Sequence, residues 1–344
     1  MTRSAWLRFA AGLLVSAVFV WLAYRGIDLH DIVERIASAR PGDFALSVAA
    51  FLAASMLRSL RWQLCFEPSD DVSFGQAFGA YGLGALSTQV IPARLGDLIR
   101  VYVLGQNSGV SKSKALGTLV VERLADLFTV VILLAVLVPM FALPGWIQAA
   151  DAFAAAAAFV VLGLVYVLAR KGATLPEPGW VATRRPLQVL FRLLVQLING
   201  FSAVKSARRG LLILLVSFGI WFFQVAQYLA CASALQLSVG WKESALITGV
   251  QALATIVPAG PGYAGSADLA AVSTLALFNI GREVALSYVN LTRVSALVAL
   301  LVWGLAALAA LKLTRRPRPR VVAPADRPAG FVQEPLGQPG DLTA

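Results

Sequence analysis

The sequence predicts an all-α polytopic membrane protein: six full spans plus two re-entrant helical hairpins, arranged as inverted repeats. The alternative is eight or more full spans. Three observations carry the prediction. The 344 residues are 58% hydrophobic and 14% charged, against roughly 45–50% and 25% for a soluble domain. Apolar runs of span length recur along the chain, and about 20 such residues cross a bilayer. Two further apolar stretches, 74–108 and 244–280, are interrupted midway by Pro and Gly, as broken helices are.

The elements follow in order. Full spans are predicted over 5–24, 44–64, 118–140, 152–169, 211–236 and 285–311. The first resembles a signal peptide, but aromatic residues and Arg25 follow with no small-residue cleavage site, so it reads as an uncleaved span. Lysine and arginine then orient the chain by the positive-inside rule. Arg3 and Arg8 place the N-terminus in the cytoplasm, with Arg58 and Arg61 and then Lys112 and Lys114 at the same face. The loop 141–151 holds no Lys or Arg and belongs outside. The basic loop 170–210 and the tail after Lys312 belong inside, whereas Lys242 and Arg282 fall outside as a mild exception. Segment 74–108 therefore starts and ends inside, and 244–280 starts and ends outside. Re-entrant hairpins satisfy this with the fewest buried charges, giving repeats of about 5–140 and 152–311 in opposite orientation. Inverted repeats with broken helices are a transporter pattern whose interruptions point to the binding site. These assignments put the protein in a bacterial cytoplasmic membrane. Within the basic loop, 186–204 reads as an amphipathic helix on the inner leaflet, and 312–344 as a disordered cytoplasmic tail.

Composition also excludes classes. The net charge of +11 lies mostly between apolar runs or after the last one, which makes it orientation signal and anionic-lipid contact rather than nucleic-acid binding. Two cysteines, Cys65 and Cys231, allow neither a disulfide framework nor a cysteine-rich metal site. No phosphate loop of Walker type is present, and no metal or other cofactor is expected.

The chemistry concentrates in the interrupted segments and the spans after them. An ionisable side chain in the bilayer costs at least about 2.5–3.5 kcal/mol, so it faces a partner or a wet cavity. Arg123 lies in V-V-E-R-L-A-D-L-F (120–128), Arg293 in Y-V-N-L-T-R-V-S-A (288–296). Each follows a proline-containing break and an aspartate: Asp97 in I-P-A-R-L-G-D-L (91–98), and Asp268 in V-P-A-G-P-G-Y-A-G-S-A-D-L (257–269). The spacings, 26 and 25 positions, read as an internal duplication. In the first break, a helix restarting near Gly96 would aim its amides at the midplane beside Arg94, a site for a phosphate or other acidic headgroup. Asp97 either tunes that site or caps the helix and pairs with Arg100. Glu122 and Asp126 share a face beside Arg123 and either serve the ligand or form a salt-bridge network with Arg94 or Arg100. In the second break Tyr263 offers a hydroxyl or packs, and Asp268 pairs with Arg293. The predicted substrate-binding set is thus Arg94, Asp97, Arg100, Glu122, Arg123, Asp126, Tyr263, Asp268 and Arg293. Arg58, Arg61 and Trp62 read as an interfacial anchor, with phosphate capture as the alternative. Gly75, Gly79 and Gly82 mark a close helix approach.

Those motifs resemble a known family. P-A-R-L-G-D-L-I-R (92–100), E-R-L-A-D (122–126), Trp221 with Tyr228, P-A-G-P-G-Y-A-G-S-A-D (258–268) and Arg293 look like the lysylphosphatidylglycerol synthase transmembrane-region family, flippase-like integral membrane proteins. The likeness spans about 5–311. Asp97 and Asp268 stand where the family pattern has Glu, and the second break has a looser glycine motif. The resemblance implies lipid translocation, with Arg94, Arg100, Arg123 and Arg293 around a phosphate and the four carboxylates neutralising the empty cavity. It implies membrane lipids with anionic headgroups as partners, and lipid-biosynthesis enzymes as further partners. The synthase's soluble aminoacyltransferase domain is not expected here. Two other classes compete: a membrane-embedded lipid-modifying enzyme of the lipid-linked glycosyltransferase type, whose acidic residues would be Asp28, His30 and Asp31, and a scaffold for a lipid pathway.

Overall fold

A computed structural model describes residues 21, 24–26, 28–90, 95–141, 148, 152–153, 155–160, 163, 167, 206–255 and 265–314. Among these residues the regular structure is entirely helical. The order is α1 (Leu29–Ala37), α2 (Pro41–Leu64), α3 (Phe74–Val90), α4 (Leu95–Ser108), α5 (Lys112–Leu137), α6 (Ala207–Ala234), α7 (Trp241–Ala254), α8 (Ser266–Ala276) and α9 (Arg282–Thr314). Arg94, Tyr263 and both break tips lie outside the described residues. So do the predicted span 5–24 apart from Trp21 and Tyr24, eight positions of the predicted span 152–169, the loop 170–205 and the tail from 315.

Local sequence explains where the helices begin. Asp28 caps α1 by accepting from the His30 amide at 2.8 Å, and Ser111 caps α5 by accepting from Lys114. Pro41 opens α2, where its missing N–H costs nothing. Gly265, at φ 101°, makes the turn into α8 with its amide donating to Asp268 at 3.0 Å; a side chain there would be strained.

Helices α2, α6 and α9 are long and apolar enough to cross a membrane. Helix α5 has 26 residues but carries Glu122, Arg123 and Asp126 through its middle. Helices α3 and α4, with 17 and 14 residues, are about 25 and 21 Å long, short of a hydrocarbon core of about 30 Å. They run antiparallel: Gln76 at the start of α3 donates to the Asn107 carbonyl near the end of α4 at 2.9 Å, while Gly84 faces Gly96 and Arg100. Helices α7 and α8, with 14 and 11 residues, also pack on each other.

The packing pairs correspond between the halves. Helix α2 lies along α6 at the centre. Each short pair reaches across: α3 packs on α9, and α7 on α5. The predicted glycine face makes the first of these contacts. A Cβ on Gly82 would stand 2.8 Å from the Ala307 side chain, and one on Gly79 would meet Leu311 and lie 3.1 Å from the Ala307 carbonyl. Small residues let the backbones approach there, as between membrane helices.

Polarity is arranged as a bilayer requires. Ser47, Ser55, Ser59, Gln76, Ser217, Gln227 and Ser295 are buried, while Leu301, Leu305 and Leu308 of α9 point outward. In lipid, polar groups find partners inside the protein. This is an integral membrane protein.

Candidate functional site: a closed ring of buried charges

Three helices bring six charged side chains together. Arg61 of α2 donates from Nη1 to Asp126 Oδ1 at 2.5 Å, and its Nη2 lies 3.4 Å from Glu122 Oε1. Glu122 Oε2 accepts from Arg100 Nη1 at 2.9 Å. Arg100 Nη2 stands 3.0 Å from Asp97 Oδ1, and Asp97 Oδ2 accepts from Arg123 Nη2 at 2.8 Å. Arg123 Nη1 closes the circuit on Asp126 Oδ2 at 3.9 Å. The result is a ring of alternating charge, three arginines and three carboxylates.

The ring is buried on one side and open on the other. The side chains of Arg61 and Glu122 are 0% exposed and that of Arg100 2%, whereas Arg123 is 44% exposed and Asp97 and Asp126 are 25% each. The two links of Arg123, to Asp97 and to Asp126, are therefore the accessible ones, and the second is the longest in the ring. Tyr81 of α3 donates to Glu122 Oε1 at 2.8 Å, and the Arg100 guanidinium lies over its ring at 4.3 Å, a favourable cation–π contact. Tyr81 in turn stacks on Trp303 of α9, with centroids 5.5 Å apart. Ser217 of α6 accepts a second bond from Arg61 at 3.0 Å. Among the described residues, Arg61 Nε and Arg100 Nε have no acceptor; a buried donor without a partner costs free energy.

The second half repeats part of this. Arg293 of α9 donates to Asp268 Oδ1 of α8 at 2.5 Å, matching Arg123 and Asp97. Both aspartates are the third residue of their helix, and both arginines stand eleven positions after the start of theirs. A constant offset of 166 positions relates Arg58 to Gln224, and likewise Arg61 to Gln227, Trp62 to Tyr228 and Cys65 to Cys231. The pairing is kept where the charge is not. Gln227 reaches Ser295 at 2.9 Å and the Thr292 carbonyl at 3.2 Å, while its counterpart Arg61 binds Asp126 and Glu122. Among the described residues, the first half alone carries the ring.

The family described as "Lysylphosphatidylglycerol synthase TM region" matches residues 9–304. The chain belongs to that family. It is also similar to a protein of Haloferax volcanii named "Glycosyltransferase AglD", 23% identical over 297 residues that cover 76% of this chain and 47% of that protein. The chain thus spans about half the length of that relative. No solved structure matches it.

In this member of the lysylphosphatidylglycerol synthase transmembrane family, the predicted site residues divide clearly. Asp97, Arg100, Glu122, Arg123 and Asp126 converge in the ring, and Asp268 joins Arg293 as their spacing implied. The expected pairing of Asp97 with Arg100 exists, and so does that of Glu122 with Arg100. The interfacial reading of Arg61 and Trp62 is corrected, because both are fully buried. Phe66, Val72, Leu104, Val110 and Ala115 pack around Trp62 and cover the end of α2 with protein. The polar contacts beyond that turn are Lys114 with Asp70 at 2.7 Å and Glu67 at 3.2 Å. Tyr81, Ser217 and Gln224 carry no mark in the sequence that separates them from ordinary helix residues.

Proposed function

We propose that the protein moves lipids between the leaflets of a cytoplasmic membrane, binding an anionic headgroup at the charge ring while the acyl chains stay in the bilayer. The ring's asymmetry carries this reading: a neutral, largely buried network that opens at Arg123. A structural ion pair needs no exposed arginine in the middle of a span, and keeping one there is costly. A phosphate offers two oxygens with the bidentate geometry of a carboxylate, so it can replace Asp126 on Arg123, or Asp97 between Arg100 and Arg123. The released carboxylates then hold the remaining arginines.

In this reading α3–α4 and α7–α8 are re-entrant hairpins of inverted repeats, consistent with their short helices and reciprocal packing. Both termini lie in the cytoplasm, as the basic segments indicate. Arg94 and Tyr263, beside the breaks, complete the headgroup path, and Asp268–Arg293 is the counterpart pair in the opposite orientation. Movement draws on the lipid's own imbalance or on an ion gradient.

Leaflet exchange of labelled phosphatidylglycerol, phosphatidylethanolamine and polyprenyl phosphate in proteoliposomes tests the reading. Wild type exchanges at least one of them. Arg123→Ala is expected to abolish exchange and leave most of the protein folded, since this side chain is the most exposed of the ring. Loss of folded protein in parallel with activity would make Arg123 structural and defeat the proposal.

The printed name of the Haloferax relative favours a second reading, a lipid-linked glycosyl transfer. Its acidic residues here would be Asp28, His30 and Asp31. Asp28 is occupied as the cap of α1, and the described residues hold no metal-binding group of three or more His, Cys, Asp or Glu. Replacing all three with alanine should leave exchange within about twofold of wild type, as surface changes usually do. A loss as complete as that of Arg123→Ala would favour the enzyme.

A further inference from the structure

We infer that Arg58 makes the site selective for lipids whose headgroup carries a net negative charge over zwitterionic ones. The inference rests on the headgroup reading above and adds a residue and a charge rule to it.

The ring balances itself, three cations against three anions. Arg58 is a fourth cation beside it. It lies one turn before Arg61 on the same face of α2, within electrostatic reach of Asp126 and Glu122. Among the described residues no carboxylate lies within ion-pair distance of it. Its guanidinium donates to the neutral Gln224 Oε1 at 2.5 Å and sits 5.8 Å from the Phe51 ring centroid. Arg58 is half-buried, so a ligand can reach it. Gln224 is held in place, because its amide donates to Gln227 Oε1 at 2.5 Å.

Among the described residues, four arginines and three carboxylates leave the site with one positive charge in surroundings of low dielectric. A phosphodiester with no other charge cancels that surplus. A zwitterionic headgroup brings its own ammonium, which can pair with the carboxylate its phosphate releases, so it adds no net negative charge to the site. It therefore leaves the surplus unmatched. Arg61 Nε and Arg100 Nε are among the buried donors without an acceptor among the described residues. The second half makes the comparison internally. At the position equivalent to Arg58 it has Gln224, and at that of Arg61, Gln227; no charge surplus arises there to recruit an anion.

The test is binding of phosphatidylglycerol and phosphatidylethanolamine with identical acyl chains to the purified full chain, read by native mass spectrometry. Glycerol phosphate is a third arm that lacks the lipid. Wild type should prefer phosphatidylglycerol by roughly tenfold, the effect of one charge-assisted contact. Arg58→Gln should lose that preference while unfolding at the wild-type temperature, and Arg58→Lys should keep most of it. Equal binding of both lipids by wild type, or a preference that survives Arg58→Gln, overturns the charge rule. Leaflet exchange could still proceed in either case, so translocation would stand. Competition by glycerol phosphate at the concentration at which phosphatidylglycerol binds would show that the site reads a free phosphate ester instead, which also overturns it.

Discussion

Glu122→Gln is expected to destabilise the protein by about 3–5 kcal/mol, the usual result of stripping a buried pair of one partner. The substitution preserves shape and removes only charge. Glu122 is fully buried and serves two arginines and a tyrosine, with Arg100 Nη1 at 2.9 Å, Arg61 Nη2 at 3.4 Å and Tyr81 Oη at 2.8 Å. An amide in its place leaves three ring arginines facing two carboxylates, with two of those arginines out of reach of water. Chemical denaturation in detergent measures the loss. Tyr81→Phe is the control: it removes one hydrogen bond to a charged group, worth about 1.5–3 kcal/mol, and should cost less. A double variant, Glu122→Gln with Arg100→Gln, restores neutrality and should recover part of the stability, since groups in one network couple. Wild-type stability in Glu122→Gln, or a double variant no better than the sum of its parts, would refute the ring as a coupled unit.

The ring was half legible in the sequence, for definite reasons. Charges inside apolar runs are conspicuous, and similar spacings of 26 and 25 positions mark Asp97 with Arg123 and Asp268 with Arg293 as counterparts, although of these two ion pairs only Asp268–Arg293 is expected from the sequence. Arg100 and Glu122 followed from the need to neutralise one with the other. Arg61 was misread because an arginine four residues from the end of a span, next to tryptophan, has the pattern of an interfacial anchor. What decides otherwise is tertiary: the segment after α2 folds back with Phe66 and Val72 and seals it. Tyr81 lies in an apolar helix where only the facing Glu122 distinguishes it from a packing residue. The correspondence of Arg58 and Arg61 with Gln224 and Gln227 also needed the helix register, because the residues between them share no pattern.

Fold class was easier to read than topology. Apolar length marks α2, α6 and α9 directly, yet α5 breaks the composition rule because the site runs through it. Chemistry in the bilayer hides the element that carries it. The short pairs show the same tension, since the breaks that identify them also remove the continuous apolar run that would declare a span.

Gly96→Ala should disrupt the site from outside it. A Cβ at Gly96 would collide with Thr88 Oγ1 and with the Gly84 carbonyl, and would lie 2.8 Å from the Thr88 amide nitrogen. Two of those atoms are backbone, so no rotamer change relieves the clash, and α3 and α4 must separate. Overpacking of this kind costs about 1–3 kcal/mol, more where the backbone cannot yield. The separation acts on the ring because the same contact seats Arg100: a Cβ on the facing Gly84 would stand 2.7 Å from the Arg100 Cβ. Moving α4 outward lengthens the Arg100–Glu122 bond and pulls Asp97 from Arg123. Lipid exchange should then be lost along with about 3 kcal/mol or more of stability. Gly42→Ala is the matched control, with nothing within 4 Å of its Cβ, and should be neutral. If Gly96→Ala instead kept both stability and exchange, the glycine contact would not be what sets the distance between Arg100 and Glu122, and the ring would have to be held from the α2 and α5 side alone.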